Sequence, residues 1–190
     1  MERKESIDQQ FINSDFENIA LIDQEFENCS FKNCNFSASI LNGSTFTETV
    51  FEGCNFSLTK MKNSSFRKVS FRNCKIIGTH FDECNPFLLE MMFNQSIIEL
   101  SSFCGLQLKG ILFEDCKLIE SDFTSANLSS AVFRQTNLER SIFFNTILEK
   151  ADLSSAYQYS IDPNKNNLKR AKFSYPALLG LLENHGLDII

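Results

Sequence analysis

Seven cysteines and two histidines are the residues of this chain best suited to hold a metal or act as nucleophiles. The stretch CSFKNC, containing Cys29 and Cys34, superficially resembles half of a zinc site. A structural zinc needs four ligands in paired sets, and nothing in the sequence supplies a partner for CSFKNC. Cys34, Cys54 and Cys74 instead recur every twenty residues, as stacked members of one structural slot would. Cys29, Cys84 and Cys116 fall in or next to the same kind of slot, so all six read as small core hydrophobes. His80 lies beside a large apolar residue and is expected to point outward, and His185 lies near the C-terminus. Neither has a legible nucleophile or second base, and no glycine-rich phosphate loop is present. The sequence therefore predicts a non-enzyme with no metal and no cofactor.

Carboxylates are the other candidate chemistry. The repeat spacing described below is expected to place Glu99, Glu120 and Glu139 on one face, with Glu114 and Asp115 on the face beside it. Asp122 and Asp152 are expected near the corners. This acidic surface is the predicted binding surface, partly neutralised by Lys109, Lys117, Arg134, Arg140 and Lys150. Lys60–Lys75 runs the other way, with six bases and no acid. A net charge of −6 and a pI near 5.0 argue against a nucleic-acid binder held by phosphate contacts, and they suit a basic partner. Outward slots holding Met92, Leu112, Val132, Ile142, Phe144 and Ile147 would mark a protein contact if contiguous.

The elements that carry these groups follow from one period. Phe11, Phe16, Leu21, Phe26, Phe31, Phe36, Leu41 and Phe46 open a run of large apolar residues that continues at every fifth position through Phe81. The phase slips by two at Pro86-Phe87, and a second run goes from Leu88 to Leu153. Gln158 and Pro163 break it, and Leu168 and Phe173 restore it. Two residues before most centres sits a small side chain, such as Ser44, Cys54, Thr79, Ala131 or Thr146. A period of five matches neither 3.6 nor 2.0. Only a chain that turns every five residues points all the centres at one axis. Side-chain type also repeats at twenty, as in Leu108, Leu128, Leu148 and Leu168, which makes four sides per coil. The bias to 20 Phe against 3 Tyr and 0 Trp is that of one slot reused many times. With only 7 Gly and 3 Pro, the turns cannot rest on those residues.

The stretches FENCSFKNCNFS, SDFTSANLSSAVF and LEKADLSSA resemble the pentapeptide-repeat family over about residues 11–173. The resemblance implies an all-β solenoid, a right-handed quadrilateral β-helix with a short C-terminal helix. Five segments are expected: 1–10 as an N-terminal cap or disordered arm, 11–85 as the first repeat run, 86–87 as the phase slip, 88–173 as the second run, and 174–190 as a C-terminal helix and strand that dimerises. In that last segment Ser174 suits a helix cap, Pro176 its first turn and Gly186 its exit. Leu178, Leu179, Leu181, Leu182, Leu187, Ile189 and Ile190 form the expected dimer interface.

Within the family the layout is most similar to proteins that protect DNA gyrase and topoisomerase IV, the Qnr type and the immunity proteins for albicidin and microcin. The uninterrupted first run, the mid-chain slip, NNLKRAKFS and the leucine-rich end carry that resemblance. It implies a homodimeric cytoplasmic protein that meets gyrase, topoisomerase IV or both, by partial DNA mimicry or by displacing the toxin, and so gives antibiotic resistance or self-immunity. A general protein-binding scaffold is the alternative. The long projecting loops of the Qnr type are missing here. Charge limits the mimicry: a dimer about 80 Å long would match DNA carrying roughly 47 phosphates, at one per ~1.7 Å, against about 12 negative charges of its own. Direct nucleic-acid binding is not expected. No secretory signal pattern or run of 18 apolar residues is read, and the cysteines fit a reducing compartment.

Overall fold

The structure, a computed structural model, describes residues 4–183 and residue 187. The chain winds as a parallel β-solenoid in which residue i of one coil pairs with residue i+20 of the next. Four faces result. The first is a four-stranded sheet built on Ser6, Phe26, Phe46 and Phe66. The second is a nine-stranded sheet running from Gln10–Ile12 to Lys172–Phe173, centred on Phe11, Phe31, Phe51, Phe71, Phe93, Phe113, Phe133, Leu153 and Phe173. The third includes the three-stranded sheet Lys75–Ile77, Ile97–Glu99 and Lys117–Ile119. The fourth is held by single parallel bridges such as Ala20 to Ile40 and Ser102 to Asp122.

Centres point inward. Phe31, Phe51, Phe71, Phe93, Phe113 and Phe133 are fully buried, and each ring stacks on the next at 5.0 to 5.3 Å. Neighbouring columns meet edge-on, as Phe51 and Phe56 do at 5.0 Å. Each ring therefore has offset-stacked and edge contacts together, the two arrangements its quadrupole favours, worth ~0.5–1.5 kcal/mol per pair beyond area burial.

The small slot has a second duty beyond leaving room. Its hydroxyl donates to the backbone carbonyl of a centre 23 residues earlier: Thr59 to Phe36 at 2.7 Å, Ser64 to Leu41 at 2.7 Å, Thr136 to Phe113 at 3.1 Å and Thr146 to Phe123 at 2.8 Å. The thiols of Cys34, Cys54 and Cys74 do the same toward Phe11, Phe31 and Phe51, confirming them as buried structural groups. Ser, Thr and Cys combine small volume with a donor for a carbonyl sealed from water.

The corners follow their own rule. Two residues after most centres the backbone is left-handed, with φ from 48° to 59° at non-glycine positions. Asn13, Asn18, Asp23, Asn28, Asn33, Asn63 and Asn73 hold such corners in the first half. Asn and Asp tolerate this region because their side chains bond locally. In the first half Asn and Asp thus meet much of the scarcity of Gly, while residues such as Leu100, Glu120, Ser125 and Arg140 take the same backbone in the second.

Two expectations need correction. The coil begins before Phe11: Glu5–Ile7 pairs with Glu25–Glu27, so residues 5–10 belong to the first coil. Ser6 takes the centre there, because backbone pairing does not depend on a large centre side chain. At the slip, Leu88 is not a centre; it is 61% exposed and left-handed, and Phe87 beside it is 64% exposed. Asn85 Oδ1 accepts the Phe87 N–H and the Pro86 carbonyl accepts the Leu89 N–H, so the segment turns outward and returns with Leu89 against the core. Val69, Met91, Leu106 and Ile111, all large and all in small slots near the slip, fill the interior that a centre would have filled. At the second break Gln158 and Pro163 face solvent, and Tyr159 and Ile161 are buried instead.

Phe113→Ala is expected to cost about 3–5 kcal/mol, the range for a large core truncation. Thr136→Val, which removes only a buried hydroxyl donor, is expected to cost about 1 kcal/mol. Urea unfolding of both variants checks the ordering; equal losses would overturn the inward ladder.

Candidate protein-binding surface

The rod fixes every outward side chain at a repeat of one coil, so surface groups form rows. Glu99 and Glu139 stand in one row of the third face, with Ile119 between them by register. Glu120 takes the adjoining left-handed corner. Glu114 lies on the second face, and Asp115 is the corner residue after it. Asp122 sits in the bridge row of the fourth face. Asp152 is not a corner residue: it pairs with Val132 and Lys172 within the nine-stranded sheet, on the same face as Glu114.

Four of these seven acids meet a base, three of them one coil further on. Arg134 bonds Glu114 at 2.6 Å, and Asn94 donates to its other oxygen at 3.0 Å. Arg140 reaches Glu120 at 3.2 Å and Glu139 at 3.6 Å. Lys172 reaches Asp152 at 3.2 Å. The Ser154 hydroxyl and N–H together with Lys172 hold the Asp152 carboxyl below the usual range. Asp122 accepts the Thr124 N–H at 2.8 Å. Among the described residues Glu99, Asp115 and Asp122 have no ion pair to a base, so they carry the uncompensated charge of the set.

The densest negative charge lies elsewhere. Residues 4–32 hold Glu5, Asp8, Asp15, Glu17, Asp23, Glu25 and Glu27 against Lys4 and Lys32. Sorting charges by coil rather than by face would have found it. The mid-rod bases Lys60, Lys62, Arg67, Lys68, Arg72 and Lys75 form a belt, because one coil distributes them over all four faces.

At the C-terminal end Pro176–Leu181 is a short 3-10 helix. Tyr175, not Ser174, occupies its N-cap, and the Ser174 carbonyl accepts the Ala177 N–H. Ala177 and Leu181 pack on the core, while Leu178, Leu179 and Leu182 are exposed on the outer side. Leu187 is exposed and lies in no strand; His185, Gly186, Ile189 and Ile190 lie outside the described residues. The helix crosses Tyr159 closely: a Cβ on Gly180 would stand 2.2 Å from the Tyr159 carbonyl. The Ile161 N–H donates to the Gly180 carbonyl at 2.9 Å and ties the helix down. Burial pushes the Tyr159 hydroxyl up to about 12, and it has no hydrogen-bond partner among the described residues.

The outward apolar groups split into places. Met92, Leu112 and Val132 stack as one row on the second face. Ile142 and Phe144 flank Phe143 on the fourth face, and Ile147 lies on the first. Around the slip, Leu89, Met91, Met92, Ile111 and Leu112 line a groove that no sequence pattern announced. His80 is exposed and meets Asp82 at 3.2 Å. Burial raises the Cys84 thiol, and pushes Cys116 up to about 11, away from nucleophilic character. Among the described residues no group of three or more His, Cys, Asp and Glu is arranged to hold a metal, and no helix is long and apolar enough to cross a membrane.

Comparison with known proteins gives a consistent picture. The profile described as pentapeptide repeat region matches residues 24–86, and that described as pentapeptide repeats (8 copies) matches 101–135 and 121–157. No curated protein sequence matches. Among solved structures, a trypsin-treated variant of QnrB1, a plasmid-mediated fluoroquinolone resistance protein, aligns over 98% of this chain and 100% of its own, at 16% identity and a TM-score of 0.65. A second such variant covers 100% of both chains at 17% identity and a TM-score of 0.55. HetL, a pentapeptide repeat protein involved in heterocyst differentiation regulation from Nostoc sp. strain PCC 7120, covers 89% of this chain and 87% of its own at 17% identity and a TM-score of 0.43.

Gly180→Ala is expected to lift the terminal helix from the last coil. Amide exchange should then accelerate at Ile161 by at least about tenfold, with the second-face strands unchanged, since the opening is local.

Proposed function

We propose that this chain, which belongs to the pentapeptide repeat family, binds a type II DNA topoisomerase, gyrase or topoisomerase IV, and protects it from poisons. The observation that carries the reading is the end-to-end likeness to QnrB1, whose described role is fluoroquinolone resistance. A stiff rod of coils rising about 4.8 Å each presents a long surface of fixed charge rows to a basic partner. Glu99, Asp115 and Asp122 are the acids whose charge is free for that partner. The paired acids Glu114, Glu120, Glu139 and Asp152 contribute shape and hydrogen-bond acceptors more than net charge. Mimicry of DNA in this reading is partial, and contact geometry supplies the rest. The protein works in the cytoplasm, as a dimer joined through the exposed leucines of the terminal helix, and without touching nucleic acid itself.

One observation favours a second reading, a scaffold for a different protein. Salt bridges along the rows neutralise much of the acidic surface, while the apolar row and the slip groove stay open.

The test is a gyrase supercoiling assay with a panel of poisons. Purified protein should restore supercoiling in the presence of albicidin, microcin or a quinolone. Replacing Glu99, Asp115 and Asp122 together by Lys should raise the protective concentration about tenfold or more, with the coil still folded by circular dichroism, because a reversed charge opposes a basic surface. No rescue at large excess with any poison would remove the topoisomerase reading and leave the scaffold.

A further inference from the structure

The nine-stranded second face carries a pattern that the proposed function does not use. Its two outward rows are complementary in charge about the middle strand. In the row preceding the centres stand Gln10, Ser30, Val50, Ser70, Met92, Leu112, Val132, Asp152 and Lys172. In the row following them stand Lys32, Glu52, Arg72, Asn94, Glu114 and Arg134. Met91–Asn94 is the fifth strand of the nine.

We infer that this face is a self-complementary docking surface for a second copy of the chain, laid antiparallel with the two-fold axis along the Met92–Asn94 strand. Such an axis turns one rod end for end while keeping each row opposite its own row. Arg72 then faces Glu114 of the other copy, and Glu52 faces Arg134. Asn94 meets Asn94, Met92 meets Met92, and Val50 meets Val132. Further out, Lys32 faces Ser154, Ser30 faces Asp152 and Gln10 faces Lys172. Charged residues in these rows meet an opposite charge or a neutral group, as an isologous contact requires. Because the axis passes through the middle strand, all nine strands overlap. An in-register parallel arrangement loses this match, since its two-fold axis sets each row against the other.

The core of the contact is mostly apolar: Met92 is 46% exposed, Leu112, Val132 and Val50 are half-buried along its row, and the buried Ser70 comes opposite Leu112. Arg72 lies over Ser70, its Nε donating to the Ser70 hydroxyl at 3.2 Å, which leaves the guanidinium ends outward. Glu114 and Asp152 belong both to this face and to the acidic candidate surface. Self-association would therefore cover part of the surface proposed for a topoisomerase. The face contact stands independently of that proposal, and of the end contact through Leu178, Leu179 and Leu182.

Sedimentation velocity of the full chain tests it, in a Leu178→Asp, Leu182→Asp background that removes the end contact. A concentration-dependent dimer is expected, weakened by salt. Arg72→Glu or Glu114→Arg alone should raise its dissociation constant by about tenfold or more, because each sets like charges opposite one another, and the two together should restore it to within about threefold. Circular dichroism melts of each variant separate lost folding from lost association. In a Cys104→Ser background, Asn94→Cys sits on the axis and should cross-link to its own copy under mild oxidation, whereas Asn55→Cys on the third face should not. A monomer at every concentration, or a dimer indifferent to both charge reversals, would overturn the inference.

Discussion

Everything in this molecule depends on each coil sitting on the one before it in register, at an offset of twenty residues that widens to twenty-two only at the slip. The backbone pairing of the parallel sheets sets that offset, and the side chains are chosen to agree with it. A large centre meets its own kind, a small slot donates to a carbonyl of the coil below, and a corner residue accepts a left-handed backbone. None of the three is sufficient alone. A phenylalanine column without the donors would lose a second bond at carbonyls such as those of Phe36 and Phe123, and donors without tolerant corners would sit on a chain unable to turn. Stability is then a sum over neighbouring coils, the energetics of a repeat protein rather than of a globule.

The same offset governs the surface. A side chain finds its neighbour one coil away, so ion pairs run along the rod: Lys32 with Glu52, Lys68 with Glu48, Arg134 with Glu114. Exposed pairs of this kind are each worth little energy, about 0–1 kcal/mol. They matter more for what they hide, since a row of alternating charge is nearly neutral to a distant partner and highly patterned to a close one. A surface of this kind selects by register more than by attraction.

The core was legible in the sequence because its signal is periodic. Phe31, Phe51, Phe71, Phe113 and Phe133 declare themselves by spacing, and the cysteines fall into place with them. What escaped was aperiodic or carried by other positions. Leu88 had the right phase, but Pro86 and the Asn85 side chain turn the segment outward, so Leu89 enters in its place. Val69, Met91, Leu106 and Ile111 put large residues in the small slot, and they are the filling for the space beside that turn. The asparagines at the corners carry a weaker signal, because residues such as Ala38, Glu48 and Leu58 take the same left-handed backbone. For the acidic surface, positions could be read but pairing could not. Glu114 and Arg134 are twenty residues apart, and only the coil spacing shows that they touch.

Across the slip, Phe71 stacks on Phe93 at 5.0 Å and Phe81 on Phe103 at 4.8 Å, within the spacing of the stacked rings elsewhere in the rod. Two surplus residues leave the helix at a single corner, and the interior closes behind them. That corner is therefore a splice point: the chain can be lengthened there without disturbing the coils on either side. A peptide grafted between Pro86 and Leu88 would be carried as a pendant on an unbroken shaft, and its length would be limited by its own behaviour in water rather than by the fold beneath it.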